Sequence, residues 1–99
     1  MIPENIRGLV SHLISQTRSS LVKWDYNSYN SIASTYLDDM NISITYAFDY
    51  DSEVASLTLQ VSRGGRIFTF RETSFDSDYG RLLALYEEAM ASDIGDFGF

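Results

Sequence analysis

The sequence predicts an α+β fold in which an antiparallel meander of three or four strands is flanked by an N-terminal and a C-terminal helix. Apolar residues near both ends recur with the 3.6-residue period of a helix, whereas the middle of the chain alternates with the period of two of a half-buried strand. Gly64-Gly65 separates two alternating runs, as the turn of a β-hairpin does. At 99 residues, the chain is predicted to form one domain.

The first helix is predicted from one apolar stripe. Pro3 suits the first helical turn, where its missing N–H is not needed, and Glu4 favours the positive end of the helix dipole. A polar run from Ser15 ends the pattern, and the apolar residues within 21–24 are expected to anchor the chain to the core. The stripe comprises Ile2, Ile6, Leu9, Val10, Leu13 and Ile14.

The segment after this helix is the least regular part of the chain. Residues 25–31 are polar and are interpreted as a loop. Residues 32–37 form a strand in the four-stranded alternative, α-β-β-β-β-α, and Asp38-Asp39 is then a turn. Without that strand the order is α-β-β-β-α.

The next strands are clearer. Residues 41–49 and 54–62 each alternate apolar with small polar side chains, which predicts two strands with one buried face. After the glycine turn, residues 67–72 form the last strand, with Phe68 and Phe70 facing the core.

The second helix begins at a capping signal. Asp76-Ser77-Asp78 is typical of a helix N-cap. Residues 92–99 contain two glycines and no period, so they are predicted to be a flexible tail, and the domain spans 1–91. The apolar stripe of this helix comprises Tyr79, Leu82, Leu83, Tyr86 and Met90.

The composition narrows the class of function. Fourteen acidic against seven basic residues give a net charge of -7, which disfavours binding to nucleic acid or anionic membranes and favours basic protein surfaces. There is no cysteine, no apolar run near the ~20 residues that span a membrane, and no signal-peptide pattern at the N-terminus. We therefore expect a cytoplasmic protein.

The meander predicts where the negative charge gathers. Alternate turns of a meander lie at the same end of the sheet, so the turn at 49–53 and the segment at 72–78 are expected to form one acidic pole, with Arg71 the only nearby base. Each aspartate alone is explained as a turn former or cap. Together, six crowded carboxylates repel one another, and this crowding is costly unless a partner or an ion uses it. The predicted pole contains Asp49, Asp51, Glu53, Glu72, Asp76 and Asp78.

Two further features of this region are testable. If residues 49–53 stay extended, their alternate carboxylates lie ~6.6 Å apart, a spacing that resembles successive phosphates. Tyr26, Tyr29 and Tyr50 fall in predicted loops, where tyrosine offers a large contact area at low entropic cost, so they are candidate interface residues. The opposite pole is mixed, with Asp38, Asp39, Arg63 and Arg66.

No catalytic, cofactor or metal site is predicted. His12 is the only histidine, and without cysteine no ordinary zinc site can form. Asp49-x-Asp51-x-Glu53 resembles the start of a calcium loop but lacks its central glycine, and Gln60 stands where the final glutamate belongs. No residue set meets the geometric roles of an enzyme.

Two stretches, Leu57 to Phe70 and Ser77 to Met90, comprise a strand, a glycine turn, a second strand and a helix. This pattern, in a small acidic chain, resembles phage-encoded anti-CRISPR proteins that inhibit Cas9. The resemblance implies a helix, a three-stranded antiparallel sheet and C-terminal helices. It also implies a function as a DNA mimic that occupies the site where Cas9 reads the PAM.

The function predicted is a small acidic inhibitor that blocks a basic, nucleic-acid-handling surface of another protein, acting as a monomer or homodimer. One alternative is an immunity or antitoxin-type protein that plugs a toxin. The other is a self-associating structural or adaptor module that uses the uncharged sheet face. That face comprises Ser43, Thr45, Ala47, Ser56, Thr58, Gln60, Ile67 and Thr69.

Overall fold

The computed structural model describes residues 2–94, which form two helices and five strands. Their order along the chain is α-β-β-β-β-β-α, so the predicted α+β arrangement is confirmed with one strand more than expected. The elements are α1 (Glu4–Arg18), β1 (Asp25–Asn27), β2 (Ile32–Leu37), β3 (Met40–Asp49), β4 (Val54–Arg63), β5 (Arg66–Thr73) and α2 (Tyr79–Ile94).

The strands form one antiparallel meander in the order β1-β2-β3-β4-β5. Ile44 pairs with Ala33 on one side and Leu59 on the other, which aligns the apolar residues of three strands on one face. The strand at 32–37 is thereby confirmed. The loop predicted at 25–31 is wrong for residues 25–27, which pair with β2 as Tyr26 does with Ala33. A segment of three residues is too short to show an alternating period in the sequence. It becomes a strand because it pairs with the edge of β2.

The core lies between the sheet and α2. This helix contacts all five strands on one side and α1 on the other. Leu85 and Ala89 are fully buried although they lie outside the predicted stripe, because a helix between two layers is covered on two sides. The opposite face of the sheet carries no helix among residues 2–94, as the alternation predicts. The fully buried large side chains are Val10, Leu13, Ile42, Ile44, Leu57, Leu59, Leu82 and Leu85, with Glu72 beside them.

Residues 21–24 anchor the chain after α1, as expected. Val22 and Trp24 are buried, whereas Leu21 is exposed. The Nε1–H of Trp24 donates to the Oγ1 of Thr17 at 2.9 Å, and that hydroxyl donates to the carbonyl oxygen of Leu13 at 2.6 Å. The indole is thus fixed to the last turns of α1.

The two-residue turns of the β2–β3 and β4–β5 hairpins are left-handed at both positions. Gly64 and Gly65 have φ of 59° and 79°, as predicted for a two-residue turn. Asp38 and Asp39 form the β2–β3 turn with φ of 50° and 63°. Aspartate tolerates this conformation better than most residues but at a cost that glycine avoids.

The helix ends differ slightly from the prediction. Pro3 lies at the N-cap of α1, one position before the first turn, and its carbonyl oxygen accepts the N–H groups of Ile6 and Arg7 at 3.0 Å. The α2 helix continues to Ile94, so residues 92–94 of the predicted tail are helical, and 95–99 lie outside the described residues. Neither helix is long and apolar enough to cross a membrane within residues 2–94.

Candidate functional site

Two loops meet at the end of the sheet where β3 turns into β4 and where β5 leaves for α2. The first is the turn after Asp49, residues 50–53, and the second is residues 74–78. The N–H of Ser74 donates to the carbonyl oxygen of Ala55 at 2.9 Å, so the second loop starts beside the beginning of β4. We call residues 49–53 and 74–78 the acidic end.

Four carboxylates of the acidic end are exposed: Asp49, Asp51, Glu53 and Asp76. The row of extended carboxylates considered for 49–53 does not form. Residues 50–53 make a tight turn in which Glu53 has a φ of 56°, so the side chains do not project from one straight strand. The negative charge is therefore clustered across two loops.

Two of these carboxylates also hold their own loops. Asp49 Oδ1 accepts the N–H of Asp51 at 3.0 Å, and this bond, with a second from the Ser52 hydroxyl, lowers the pKa of Asp49. Asp76 Oδ2 accepts the N–H of Thr73 at 2.6 Å and its hydroxyl at 3.1 Å, which lowers the pKa of Asp76. Both are ionised at neutral pH, because a hydrogen bond to the charged form favours ionisation.

Glu72, predicted in the acidic pole, is instead buried in the core. Glu72 pairs with Leu57 in the β4–β5 register, two places after Phe70 pairs with Leu59. The alternation that turns Phe70 toward the core therefore turns Glu72 the same way. Its carboxylate is not available to a partner.

Asp78 is also buried, and it joins the start of the chain to the start of α2. Its Oδ2 accepts the N–H of Ile2 at 2.9 Å and a hydrogen bond from Arg7 Nη2 at 3.2 Å. Its Oδ1 lies 3.2 Å from Arg7 Nε and 3.3 Å from Arg81 Nε. The N–H of Ile2 and the guanidinium groups keep the pKa of Asp78 below its ordinary value in spite of burial. The sequence had suggested that Arg71 is the only base in this region. That expectation is wrong, because Arg7 and Arg81 both contact Asp78.

Large exposed aromatic side chains accompany the exposed carboxylates. Tyr50 is 83% exposed and Phe75 82%. Tyr29 is 96% exposed but lies in the β1–β2 turn, outside the acidic end. The Tyr50 ring meets the ring of Phe48 edge-on, with 4.9 Å between the centroids. Phe75 was missed by the sequence analysis, although an aromatic residue outside any helical or strand period is itself a signal.

Tyr26 does not lie in a loop, where the sequence had predicted it. It lies in β1 on the core-facing side, half-buried, and its hydroxyl lies 2.8 Å from the hydroxyl of Tyr86. Burial, followed by the contact with Tyr26, raises the pKa of Tyr86 to about 12. The prediction of a loop at 25–31 had placed Tyr26 in solvent.

The other charged residues and the histidine considered in the sequence lie outside the acidic end. Asp38 and Asp39 share the opposite end of the sheet with Arg63 and Arg66, which makes that end mixed in charge, as predicted. His12 lies exposed on α1. Among residues 2–94, no group of three or more acidic or histidine side chains is arranged to hold a metal ion.

No protein-family model, curated protein or solved structure matches this chain. The acidic end is the candidate site because it combines exposed charge of one sign with exposed aromatic area on adjacent loops. Tyr29, Tyr50, Asp49, Asp51, Glu53 and Asp76 are the predicted site residues that the structure leaves exposed.

Proposed function

We propose that this protein is a small inhibitor whose acidic end binds the basic, nucleic-acid-handling surface of another protein. The observation that carries the proposal is the composition of two adjacent loops. The first, residues 49–53, exposes three carboxylates and Tyr50, and the second, residues 74–78, exposes the carboxylate of Asp76 and Phe75.

The charge selects the class of partner. The chain has a net charge of -7, and the exposed carboxylates of the acidic end add a local concentration of negative charge. Such a surface repels phosphates and is attracted to the lysines and arginines with which proteins bind phosphates. Electrostatic attraction of this kind also speeds association.

The aromatic side chains provide apolar contact area for binding, which charge alone does not provide. Tyrosine and other aromatic residues are enriched at protein interfaces, where they fill pockets and contribute much of the binding energy. Tyr50 and Phe75 stand beside carboxylates, which disfavours stacking on the bases of a nucleic acid. Together they favour a protein as the partner.

The loops are also held in place before binding. Asp49 and Asp76 each accept a backbone N–H within or beside their own loop. A loop that is already ordered loses less conformational entropy on binding. Asp51 and Glu53 project from this supported frame and are the carboxylates that we expect to face the partner.

The test compares two charge reversals of equal size. Asp51→Lys/Glu53→Lys alters the acidic end, and Asp38→Lys/Asp39→Lys makes the same change in a turn at the opposite end. Each variant, and the parent, is used to capture proteins from a bacterial lysate and, because of the resemblance to Cas9 inhibitors, purified Cas9. We expect the parent and the Asp38/Asp39 variant to retain a nucleic-acid-binding protein that salt elutes and duplex DNA displaces.

The acidic-end variant should lose this partner while keeping the circular dichroism spectrum of the parent. Equal loss in both variants would show a dependence on net charge alone and would overturn the assignment to the acidic end. Capture of a toxin that resists salt and DNA would instead favour an immunity function.

A further inference from the structure

The strand β5 forms an open edge of the sheet. It is last in the strand order, and no further strand pairs with it among residues 2–94. Ile67 is 64% exposed and Phe68 42%. An edge of this kind offers unpaired N–H and C=O groups to another strand.

The register shows which backbone groups point outward. Gly64-Gly65 is a two-residue turn, so Arg63 and Arg66 are the hydrogen-bonded pair that closes the hairpin. Hydrogen-bonded pairs alternate along the strand, and the N–H of Ser74 indeed reaches Ala55 in β4. The outward groups therefore belong to the alternate residues Ile67, Thr69, Arg71 and Thr73.

Asp76 closes one end of this edge. Its Oδ2 takes the outward N–H of Thr73 at 2.6 Å, which also supports the assignment of the outward set. The remaining open edge consists of Ile67, Thr69 and Arg71.

We propose that a second copy of this chain pairs with this edge, antiparallel to β5 and centred on Thr69. Thr69 then lies opposite Thr69 of the second copy, and Ile67 opposite Arg71. This register uses every outward N–H and C=O of the three open residues in both copies. A shift of two residues in one direction would place Ile67 opposite Thr73, whose N–H already donates to Asp76. A shift of two residues in the other direction would place Arg71 opposite Gly65, which lies in the hairpin turn.

The side chains on the helix-side face are complementary in the same register. Phe68 lies opposite Phe70 of the second copy. Directly opposed aromatic residues stabilise neighbouring antiparallel strands. The pairing also covers Phe68, which the helices leave partly exposed.

The overall charge does not prevent this pairing. Within residues 66–73 the charged residues are Arg66, Arg71 and Glu72, so the edge carries almost none of the chain's excess negative charge. The two-fold axis places the two acidic ends at opposite ends of the combined sheet, where both remain exposed. The dimer is therefore independent of the proposed function. Its interface is a strand pair, smaller than standard stable interfaces, so association is weak and depends on concentration.

The first test is sedimentation velocity from about 10 µM to about 1 mM, a range suited to weak interfaces. Thr69→Lys places two positive charges opposite each other and should raise the dimer dissociation constant at least about tenfold. Gln60→Lys adds the same charge on the same sheet face, beside Thr69 but away from the edge, and should leave the dimer largely intact. A parent that stays monomeric at about 1 mM, or equal weakening by both variants, would overturn the proposal.

The second test reads the register directly in a chain that has no cysteine. Opposed residues of a hydrogen-bonded pair have Cα atoms about 5.5 Å apart, within the range for a disulfide. Thr69→Cys should therefore form a covalent dimer on mild oxidation. Ile67→Cys would be four residues from its counterpart, about 13 Å away, and should not. Cross-linking at 67 that equals or exceeds that at 69 would refute the register.

Discussion

The replacement Thr17→Val removes the acceptor of a buried indole hydrogen bond while nearly preserving side-chain shape. Trp24 is buried, and its Nε1–H donates to Thr17 Oγ1 at 2.9 Å. Valine leaves this N–H without an acceptor in the core, and a buried donor that loses its partner costs about 1–3 kcal/mol. For a domain of this size each kcal/mol lowers the Tm by about 4–8 °C.

The assay is urea unfolding followed by far-ultraviolet circular dichroism. The intrinsic fluorescence of Trp24 is a second probe in the variants that keep this residue. The matched background is Trp24→Phe, in which the donor is absent. There, Thr17→Val should cost much less, because the Thr17 hydroxyl then serves only the carbonyl oxygen of Leu13. A double-mutant cycle measures the difference as a coupling energy.

A coupling energy close to zero would refute the reasoning. It would show that valine destabilises α1 by itself, through its helix propensity, and that the indole contact contributes little. A coupling of about 1 kcal/mol or more would confirm that this bond fixes the segment between α1 and β1.

Three further changes test other parts of the structure. Asp39→Gly should stabilise the protein by about 0.5–1 kcal/mol in urea unfolding, because glycine adopts the φ of 63° without strain, whereas Asp39→Ala should not. Asp78→Asn should lower the Tm at neutral pH through loss of the ion pair with Arg7. It should also reduce the fall in stability below pH 3.8, since a carboxyl with a lowered folded pKa stabilises above its unfolded pKa and loses that contribution as the pH falls. Between pH 10 and 12 the folded state keeps a Tyr86 proton that the unfolded state loses, so stability declines with rising pH, and Tyr86→Phe should make that decline smaller.

The sheet could be predicted because its central strands have one buried face. Ile42, Ile44, Leu57 and Leu59 alternate with small polar residues, and this pattern alone specifies which face meets the helices. The β1 strand could not be predicted in this way, because only Tyr26 of its three residues faces the core.

The second helix shows a different limit. One stripe describes a helix that is buried on one side, but α2 lies between the sheet and α1. Leu85 and Ala89 are therefore buried outside the stripe. The burial of this second side depends on the packing of α1 against α2, which cannot be predicted from the apolar period of either helix.

The candidate site was partly predictable for the same reasons. The meander topology alone places the two acidic loops at the same end of the sheet, independently of the contacts that their side chains make. Glu72 could have been assigned to the core by extending the alternation of Phe68 and Phe70. The burial of Asp78 could not, because it depends on the contact with Ile2 and Arg7, more than 70 residues earlier in the chain.

The central claim is that the acidic end competes with nucleic acid for a basic protein surface. The most direct measurement is fluorescence anisotropy of labelled duplex DNA bound to the captured partner, titrated with this protein. We expect displacement by the parent and by Asp38→Lys/Asp39→Lys at similar concentrations. Asp51→Lys/Glu53→Lys should require at least about tenfold more protein, equivalent to a loss of about 1.4 kcal/mol of binding free energy. Equal displacement by all three proteins, or DNA that stays bound at saturating parent protein, would contradict the account.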